Sequence, residues 1–305
     1  DFRTPACDLT DKNGCRGCRF RYAGYEILSA LPSDYVRPHV RGDMETLKIL
    51  LTDEDKGIDA ELYFTPVEDC DVFARCAKIV NRSGGKICLN KAASMQLDFE
   101  NGNFDAIFIA GAPGDEMRNV RRRITQGKFE ISSRFGITGH SANPFFALCE
   151  PSATEDAGEC YGFNLLYSGN FKSEIESDCH NCVRVAAGIS DESFSWTLQD
   201  GESFYTPQAV CAFSAEGIGG MSVRFHKLCR KYIVSPKYAD FRPIVANTWE
   251  SFYFTVDEDK VRAFARKAKE IGADTVVLDD GWFRNADNEN LGDWELAKDR
   301  FPSGL

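Results

Sequence analysis

The chain has 305 residues, of which 43% are hydrophobic, and a formal net charge of -11. This length is enough to bury one large core or two ordinary ones. The acidic balance argues against binding to nucleic acid or to an anionic membrane, because both attract clustered Lys and Arg. The one basic run, Arg118 to Arg123, is interpreted as a solvated face. No window approaches the roughly 18 apolar residues of a membrane span, and no signal peptide is recognisable.

Twelve cysteines are scattered along the chain. A chain long enough to have its own core does not need disulfides, so this pattern favours reduced thiols in a cytoplasm. Two pairs have the spacing of metal ligands, Cys15 with Cys18 and Cys179 with Cys182. They lie far apart in different local patterns, so we interpret the spacing as chance and keep a zinc site as the alternative.

From Asp1 to about Tyr238, short runs of alternating apolar and polar residues are bounded by Gly, Asn, Asp and Pro, which is typical of β-strands. Such runs include IDAELYFTPV, DVFARCAKIV, KICLNKAASMQLDF and CYGFNLLYSGNF. The segment NRSGGK, Asn81 to Lys86, is predicted to be a hairpin loop between two of them. The pattern predicts a large antiparallel β-sandwich.

Helical spacing occurs in this part only in MSVRFHKLCRKY, from Met221 to Tyr232. A helix there would carry apolar side chains on one side. The residues predicted for that side are Val223, Phe225, Leu228 and Cys229.

The pattern changes after Tyr238. PIVANTW is predicted to be a buried strand, TVDEDKVRAFARKAKEIG a helix, and DTVVL a second short strand. Thr255 with Glu258 forms a capping-box pattern, and Gly272 stands where a helix-ending glycine belongs. Residues 243–278 therefore form one predicted βαβ unit, whose two strands should be parallel.

Charged and aromatic residues are predicted to end both of these strands, Trp249-Glu250 the first and Asp279-Asp280 the second. In a parallel α/β fold, ligands bind beyond the carboxyl ends of the strands, so we expect a functional site at this rim. A dinucleotide-binding fold is disfavoured, because the residues after the first strand, NTWESF, contain no Gly-rich loop. A solvated turn or helix cap is the alternative interpretation of Asp279 and Asp280.

The stretch RPIVANTWESFYFTVDEDKVRAFARKAKEIGADTVVLDDGWF, followed by LGDW and FPSGL, resembles the start of the catalytic barrel of glycoside hydrolase family 36, the microbial α-galactosidases. Upstream segments resemble that family's N-terminal β-supersandwich in the same order: DFRTPA, SSRFGITGHSANPFFAL, YGFNLLYSGNF, RVAAGI, FSWTL, GESFYTPQAV and GMSVRFHKL. The resemblance implies a β-supersandwich domain over residues 1–238 and the first βαβ unit of a truncated (β/α)8 TIM barrel over 239–305.

The resemblance implies an enzyme that removes terminal α-linked galactose from raffinose-family oligosaccharides with retention of configuration, without metal or organic cofactor. The nucleophile and the acid/base come from later barrel strands, and a complete barrel takes about 250 residues. No catalytic residue is therefore expected in this chain, and the catalytic pair is expected beyond Leu305. Raffinose-forming transglycosylases and a non-catalytic carbohydrate-binding sandwich are the alternatives.

For the substrate site, the resemblance assigns Asp279 and Asp280 to galactose hydroxyls and places Trp249 beside the sugar. Carboxylates are acceptors suited to hydroxyl donors, and an indole face suits the apolar side of the ring. Asp1 resembles an acid that oligomers of the family, typically tetramers, insert into a neighbouring subunit's site. Trp282 and Trp294 are predicted to pack in loops around the pocket.

Overall fold

The alternating runs of the first two-thirds of the chain fold into two antiparallel sheets in the computed structural model, which describes residues 4–100, 102–192, 194–238, 241–283, 292 and 294–305. The chain divides into two units, Asp1–Val234 and Ser235–Leu305. The strands of the first unit are β1 (Cys7–Thr10), β2 (Arg21–Leu28), β3 (Thr46–Asp53), β4 (Ile58–Val67), β5 (Val72–Asn81), β6 (Ile87–Phe99), β7 (Asp105–Ala112), β8 (Asp115–Arg123), β9 (Gly127–Ser133), β10 (Phe145–Cys149), β11 (Cys160–Leu165), β12 (Phe171–Ser177), β13 (Val183–Ile189), β14 (Trp196–Leu198), β15 (Ser203–Tyr205) and β16 (Ala209–Ser214).

In the described residues, the smaller sheet has the order β1-β6-β13-β12-β9, with β14 also paired to β6. The larger sheet has the order β2-β3-β4-β5-β16-β11-β10-β7-β8, with β15 also paired to β5. Because side chains alternate along each strand, one face of each sheet is apolar, and these faces pack together. Phe171 and Ile175 of β12 share a core cluster with Phe163 and Leu165 of β11. The predicted β-sandwich is therefore confirmed.

The predicted hairpin at Asn81 to Lys86 is wrong. This loop follows β5 in the larger sheet and precedes β6 in the smaller one, so it connects the two layers. The Asn81 side chain stabilises the crossing by donating from Nδ2 to the carbonyl oxygens of Gly85 and Leu198, at 2.7 and 3.0 Å. Local alternation predicts strands, but it does not say which strand each will pair with.

Helix α1, Gly217–Leu228, covers the outer face of the larger sheet and continues as a π-helix, Cys229–Ile233. The predicted helix is confirmed, but it starts four residues earlier than Met221. Its buried face carries Met221, Phe225 and Leu228. Val223, which is 58% exposed, and Cys229, which is also exposed, were wrongly placed on that face. Gly162 permits this packing, because a Cβ there would lie 2.4 Å from Phe225 Cε2.

The second unit contains the predicted βαβ arrangement. Its elements are a short 3-10 helix (Pro236–Tyr238), β17 (Val245–Asn247), α2 (Trp249–Phe252), α3 (Glu258–Glu270) and β18 (Thr275–Val277). Another 3-10 helix, Glu68–Cys70, lies in the first unit. Strands β17 and β18 are parallel, with Asn247 opposite Val277, which confirms the predicted orientation. None of the helices in the described ranges is both long and apolar enough to cross a membrane.

The sequence predicted the C-terminal end of α3 correctly, but it predicted the wrong residue for the N-terminal cap. Asp257, not Thr255, caps the start, since its Oδ1 accepts from Lys260 N at 2.9 Å, whereas Thr255 Oγ1 donates to the Phe252 carbonyl. Asp257 directly precedes the first residue of α3, which is the N-cap position, and Asp is among the residues preferred there. The C-terminal prediction is confirmed, because Gly272 has φ +90°.

The prediction of a buried strand over 243–249 is wrong in two respects. The strand is only three residues long, and Val245 is 51% exposed. Trp249 begins α2 rather than ending the strand. The apolar composition of this segment predicts a buried environment that the described residues of the second unit do not supply.

Candidate functional site

The carboxyl ends of β17 and β18 lie side by side, and hydrogen bonds join them. Thr248, directly after β17, is 1% exposed, and its Oγ1 accepts a hydrogen bond from Asp279 N at 3.0 Å. Its own N–H donates to the Val277 carbonyl at 3.1 Å. A buried hydroxyl that both ends share fixes the position at which the chain leaves β18.

Asn247 connects two of the residues that the sequence predicted for the site. Its Nδ2 donates to Asp279 Oδ2 at 2.7 Å, and its Oδ1 accepts from Trp249 N at 2.8 Å. One amide therefore sets the position of the Asp279 carboxylate and of the backbone that carries the Trp249 ring. Sequence reasoning missed Asn247 and Thr248, although two polar hydrogen-bonding residues directly after a strand were a signal for this role.

The two adjacent carboxylates differ in their surroundings. Both oxygens of Asp279 are engaged within the chain, Oδ2 with Asn247 and Oδ1 with the N–H of Asp280 at 2.8 Å. The carboxylate of Asp280 makes no hydrogen bond or ion pair with another residue in the described ranges, although it is half-buried. An ionised carboxylate is an acceptor-only group, which suits a ligand with hydroxyl donors.

Gly281 sets the direction of the chain after these carboxylates. Its φ is +102°, a conformation that favours glycine, and a Cβ there would lie 2.9 Å from Val256 Cγ1 and 3.0 Å from Phe254 Cα. Phe254 also packs against Trp249, and the two rings meet edge-on at a centroid distance of 4.9 Å. A side chain at 281 would push apart the segments that carry Asp280 and Trp249.

Aromatic side chains also pack after Asp280. Trp282 and Trp294 stack with ring centroids 5.9 Å apart and an interplanar angle of 21°. Arg300 fixes this region by donating to the carbonyl oxygens of Phe254 and Phe283 at 3.0 and 2.6 Å. The predicted packing role of the two tryptophans therefore has a structural counterpart in their mutual stacking.

The remaining predicted site residue, Asp1, lies outside the described residues. For the zinc alternative, the described part of the chain contains no group of three or more His, Cys, Asp or Glu side chains arranged to hold a metal ion. What the structure brings together is thus one acidic rim with an aromatic neighbour: Asp279, Asp280 and Trp249, organised by Asn247 and Thr248.

Comparison with known proteins gives the same family for both parts of the chain. The family model for the glycosyl hydrolase family 36 N-terminal domain matches residues 1–199, and the Melibiase model matches residues 203–305. Among curated relatives, alpha-galactosidase AgaA of Geobacillus stearothermophilus is 40% identical and alpha-galactosidase Mel36A of Lactobacillus acidophilus is 38% identical. Each alignment covers 100% of this chain and 43% of the relative.

Solved structures agree with the sequence relatives. The crystal structure of an AgaA variant from Geobacillus stearothermophilus in complex with raffinose has a TM-score of 0.94 at 38% identity, covering 100% of this chain and 44% of that one. The galactosidase domain of the alpha-galactosidase-sucrose kinase AgaSK has a TM-score of 0.95 at 34% identity, covering 100% of this chain and 43% of that one. The chain thus spans less than half the length of the proteins that it matches.

Proposed function

The chain belongs to glycoside hydrolase family 36, and from this premise we propose that it forms the N-terminal part of a retaining α-galactosidase. The proposed substrates are raffinose-family oligosaccharides and other galactosides with a terminal α-linked galactose. Relatives of known activity support this, since those reported above are named alpha-galactosidases. A relative's structure in complex with raffinose and another in complex with stachyose support the substrate class.

The observation that carries the proposal is the pair of carboxylates held at the ends of two parallel strands. Galactose differs from glucose in its axial 4-hydroxyl, and we assign Asp279 and Asp280 to that group and the neighbouring 6-hydroxyl. Asp280 has the freer acceptors, while Asn247 fixes the orientation of Asp279. The Trp249 indole is assigned to the apolar side of the sugar ring.

Retaining hydrolysis needs two carboxyl groups about 5 Å apart, one as nucleophile and one as acid/base. We do not assign Asp279 or Asp280 to either role, because the family resemblance places the nucleophile and the acid/base on later barrel strands. The catalytic pair is proposed to come from further barrel strands, outside this chain. In that arrangement this chain binds and orients galactose, while the remaining strands carry out the bond cleavage.

The domain assignment follows from the same premise. We assign residues 1–238 to the β-supersandwich and 239–305 to the first βαβ unit of a (β/α)8 barrel. Support comes from the exposed apolar side chains of the second unit, such as Val245 and Ile271. In a closed barrel each strand has two neighbours, and the helices cover its outer side.

Two further assignments concern the whole protein. We propose a homo-oligomer, by family resemblance a tetramer, in which Asp1 reaches the sugar site of a neighbouring copy. We also propose a cytoplasmic location, supported by the observation that all twelve cysteines are free thiols.

The test is hydrolysis by the complete protein. We expect turnover of an aryl α-galactoside and of raffinose, no comparable turnover of the matching β-galactoside or α-glucoside, and release of galactose first as the α-anomer by NMR. The β-anomer as first product would contradict the retaining mechanism. Transfer to an added acceptor sugar in preference to water would identify a transglycosylase, and saccharide binding without turnover would identify a binding module.

A further inference from the structure

The N-terminal strand brings together two cysteines that the proposed activity does not use. Cys7 begins β1, and Cys18 follows the turn after β1. Both side chains pack against the same hydrophobic cluster, which includes Leu9, Ile87 and Leu89. Cys18 lies on the segment that runs back antiparallel to β1, next to the strand that Cys7 begins.

A short turn produces this proximity. Thr10 and Arg16 form an antiparallel bridge, and Gly17 N donates to the Leu9 carbonyl at 3.0 Å. Gly17 has φ +86°, so the regular alternation of side chains is interrupted immediately before Cys18. That interruption allows Cys18 to face the cluster that also contacts Cys7.

Hydrogen bonds hold the backbone on the outer side of each cysteine. Before Cys7, the carbonyl of Ala6 accepts from Ala93 N at 2.7 Å. After Cys18, Arg19 N donates to the carboxylate of Asp53 at 2.8 Å. Both cysteines therefore lie on backbone segments that hydrogen bonds hold in place, and both side chains face the same hydrophobic cluster. We propose that Cys7 and Cys18 form a redox-active pair that a peroxide converts into a reversible disulfide.

The chemistry balances as a two-electron oxidation. The Cys18 thiolate attacks one peroxide oxygen, the O–O bond breaks, hydroxide leaves, and Cys18 becomes a sulfenic acid. The Cys7 sulfur then attacks the Cys18 sulfur, the S–O bond breaks, and the thiol proton leaves with the hydroxyl group as water. Two thiols have been oxidised to one disulfide, and hydrogen peroxide has been reduced to two molecules of water.

The electrostatics agree with this order of events. The interaction with Cys7, assisted by Lys56, lowers the pKa of Cys18, although burial and the carboxylates of Asp53 and Asp8 act in the opposite direction. The same interaction, together with burial, raises the pKa of Cys7. Because the thiolate is the nucleophile, Cys18 is the residue that reacts first.

A second cysteine pair provides an internal contrast. Cys149 and Cys160 lie directly opposite each other on β10 and β11, but both are fully buried. Burial raises the pKa of both thiols, for Cys160 to about 12. These thiols are close together but shielded and protonated, so they should remain reduced under conditions that oxidise Cys7 and Cys18.

The experiment treats the reduced chain with a small excess of hydrogen peroxide, alkylates the remaining thiols and maps the peptides without reduction. We expect one dominant cross-link, between Cys7 and Cys18, ten alkylated thiols out of the twelve, and full reversal by dithiothreitol. Closing this loop should raise the melting temperature by roughly 5 °C. Cys15→Ser should keep both the cross-link and the shift, whereas Cys18→Ser should lose both.

Each of three results would overturn the proposal. These are a dominant cross-link between Cys15 and Cys18, one between Cys149 and Cys160, or twelve alkylated thiols after a peroxide treatment that oxidises a reference dithiol. The mapping is done on the unaltered chain, so it does not depend on whether a cysteine variant folds.

Discussion

The two units of the chain differ in how completely their apolar side chains are buried and their charged side chains are paired. In the sandwich, all seven residues of β12 are buried, and Glu174 within it is ion-paired with Lys91, Lys128 and Lys172. In the second unit, Val245 and Ile271 are exposed. The hydrophobic core clusters found in the described residues all lie in the antiparallel unit. The parallel unit presents strand edges that we assign to other barrel strands and a carboxylate that we assign to a sugar. We locate the function in the second unit, at the strand ends that carry these carboxylates.

The largest expected effect is on activity itself. If the second unit needs the rest of a barrel, the chain of 305 residues should not hydrolyse an aryl α-galactoside, whereas the complete protein should. The measurement is release of the aryl group under matched protein concentrations. Turnover by the chain above a protein-free blank would show that this part contains its own catalytic pair.

Limited proteolysis should separate the two units. Their difference in packing predicts cleavage shortly after Tyr238 and in the βαβ unit, roughly a hundredfold faster than in the sandwich, because exposed segments open locally at low free-energy cost. Time-resolved digestion with mass spectrometry measures both rates. Equal cleavage rates in the two units would contradict the proposed difference in their packing.

Glu174→Gln should destabilise the sandwich strongly. The change removes the carboxylate that the buried Lys91 and Lys172 share, although Asp191 still pairs with both. Losing hydrogen bonds to a buried charge costs about 2 kcal/mol, so the melting temperature should fall by several degrees at pH 7. The control is Glu192→Gln, whose partner Arg134 is 62% exposed, and it should cost less than about 1 kcal/mol. Equal shifts in the two variants would contradict the structural role of Glu174.

The same carboxylate predicts a pH dependence. Burial acts to raise the pKa of Glu174, but hydrogen bonds from Lys128 and Lys91 outweigh it and lower the pKa to about 2, from 4.5. Its stabilising contribution is therefore present above pH 4.5 and is lost as the pH falls towards 2. The difference in melting temperature between the unaltered protein and Glu174→Gln should narrow across that interval.

Asn247→Ala in the complete protein should have a smaller effect, confined to activity. The variant loses the bond that orients Asp279, so kcat/KM should fall about tenfold, with most of the loss in KM if galactose binding is weakened. Asn247 is exposed, so the melting temperature should stay close to that of the unaltered protein. Ser251→Ala, an exposed change on α2, is the control, and equal kinetics for the two variants would exclude a positioning role.

Sequence reasoning succeeded where local signals decide the structure. Alternation along β4, β5 and β6 predicted strands, and Gly272 predicted the end of α3. It failed where a distant partner decides: β5 and β6 are neighbours in sequence but lie in different sheets, and Val223 faces outward because the buried face of α1 is set by the sheet beneath it.

For the site, the sequence identified Asp279, Asp280 and Trp249 but not the hydrogen bonds among them. Two adjacent carboxylates directly after a predicted strand can be recognised from the sequence alone. The role of Asn247 depends on the parallel register, which places it opposite Val277 and within reach of Asp279. The sequence predicted that the two strands are parallel, but it did not give the residue-by-residue register that brings Asn247 to Asp279.

The most direct test of the central claim is the kinetics of Asp279→Asn and Asp280→Asn in the complete protein. Each hydrogen bond to a charged group contributes roughly 1.5 to 3 kcal/mol, so kcat/KM on an aryl α-galactoside should fall about 10- to 100-fold in each variant. Asp274→Asn is the matched control, because it lies at the other end of the same strand, where its carboxylate accepts from Ile244 N at 3.0 Å. We predict a large loss for the first two variants, near-unaltered kinetics for the control, and melting temperatures within a few degrees of one another. Unchanged kcat/KM in both site variants would contradict the assignment of these carboxylates to galactose.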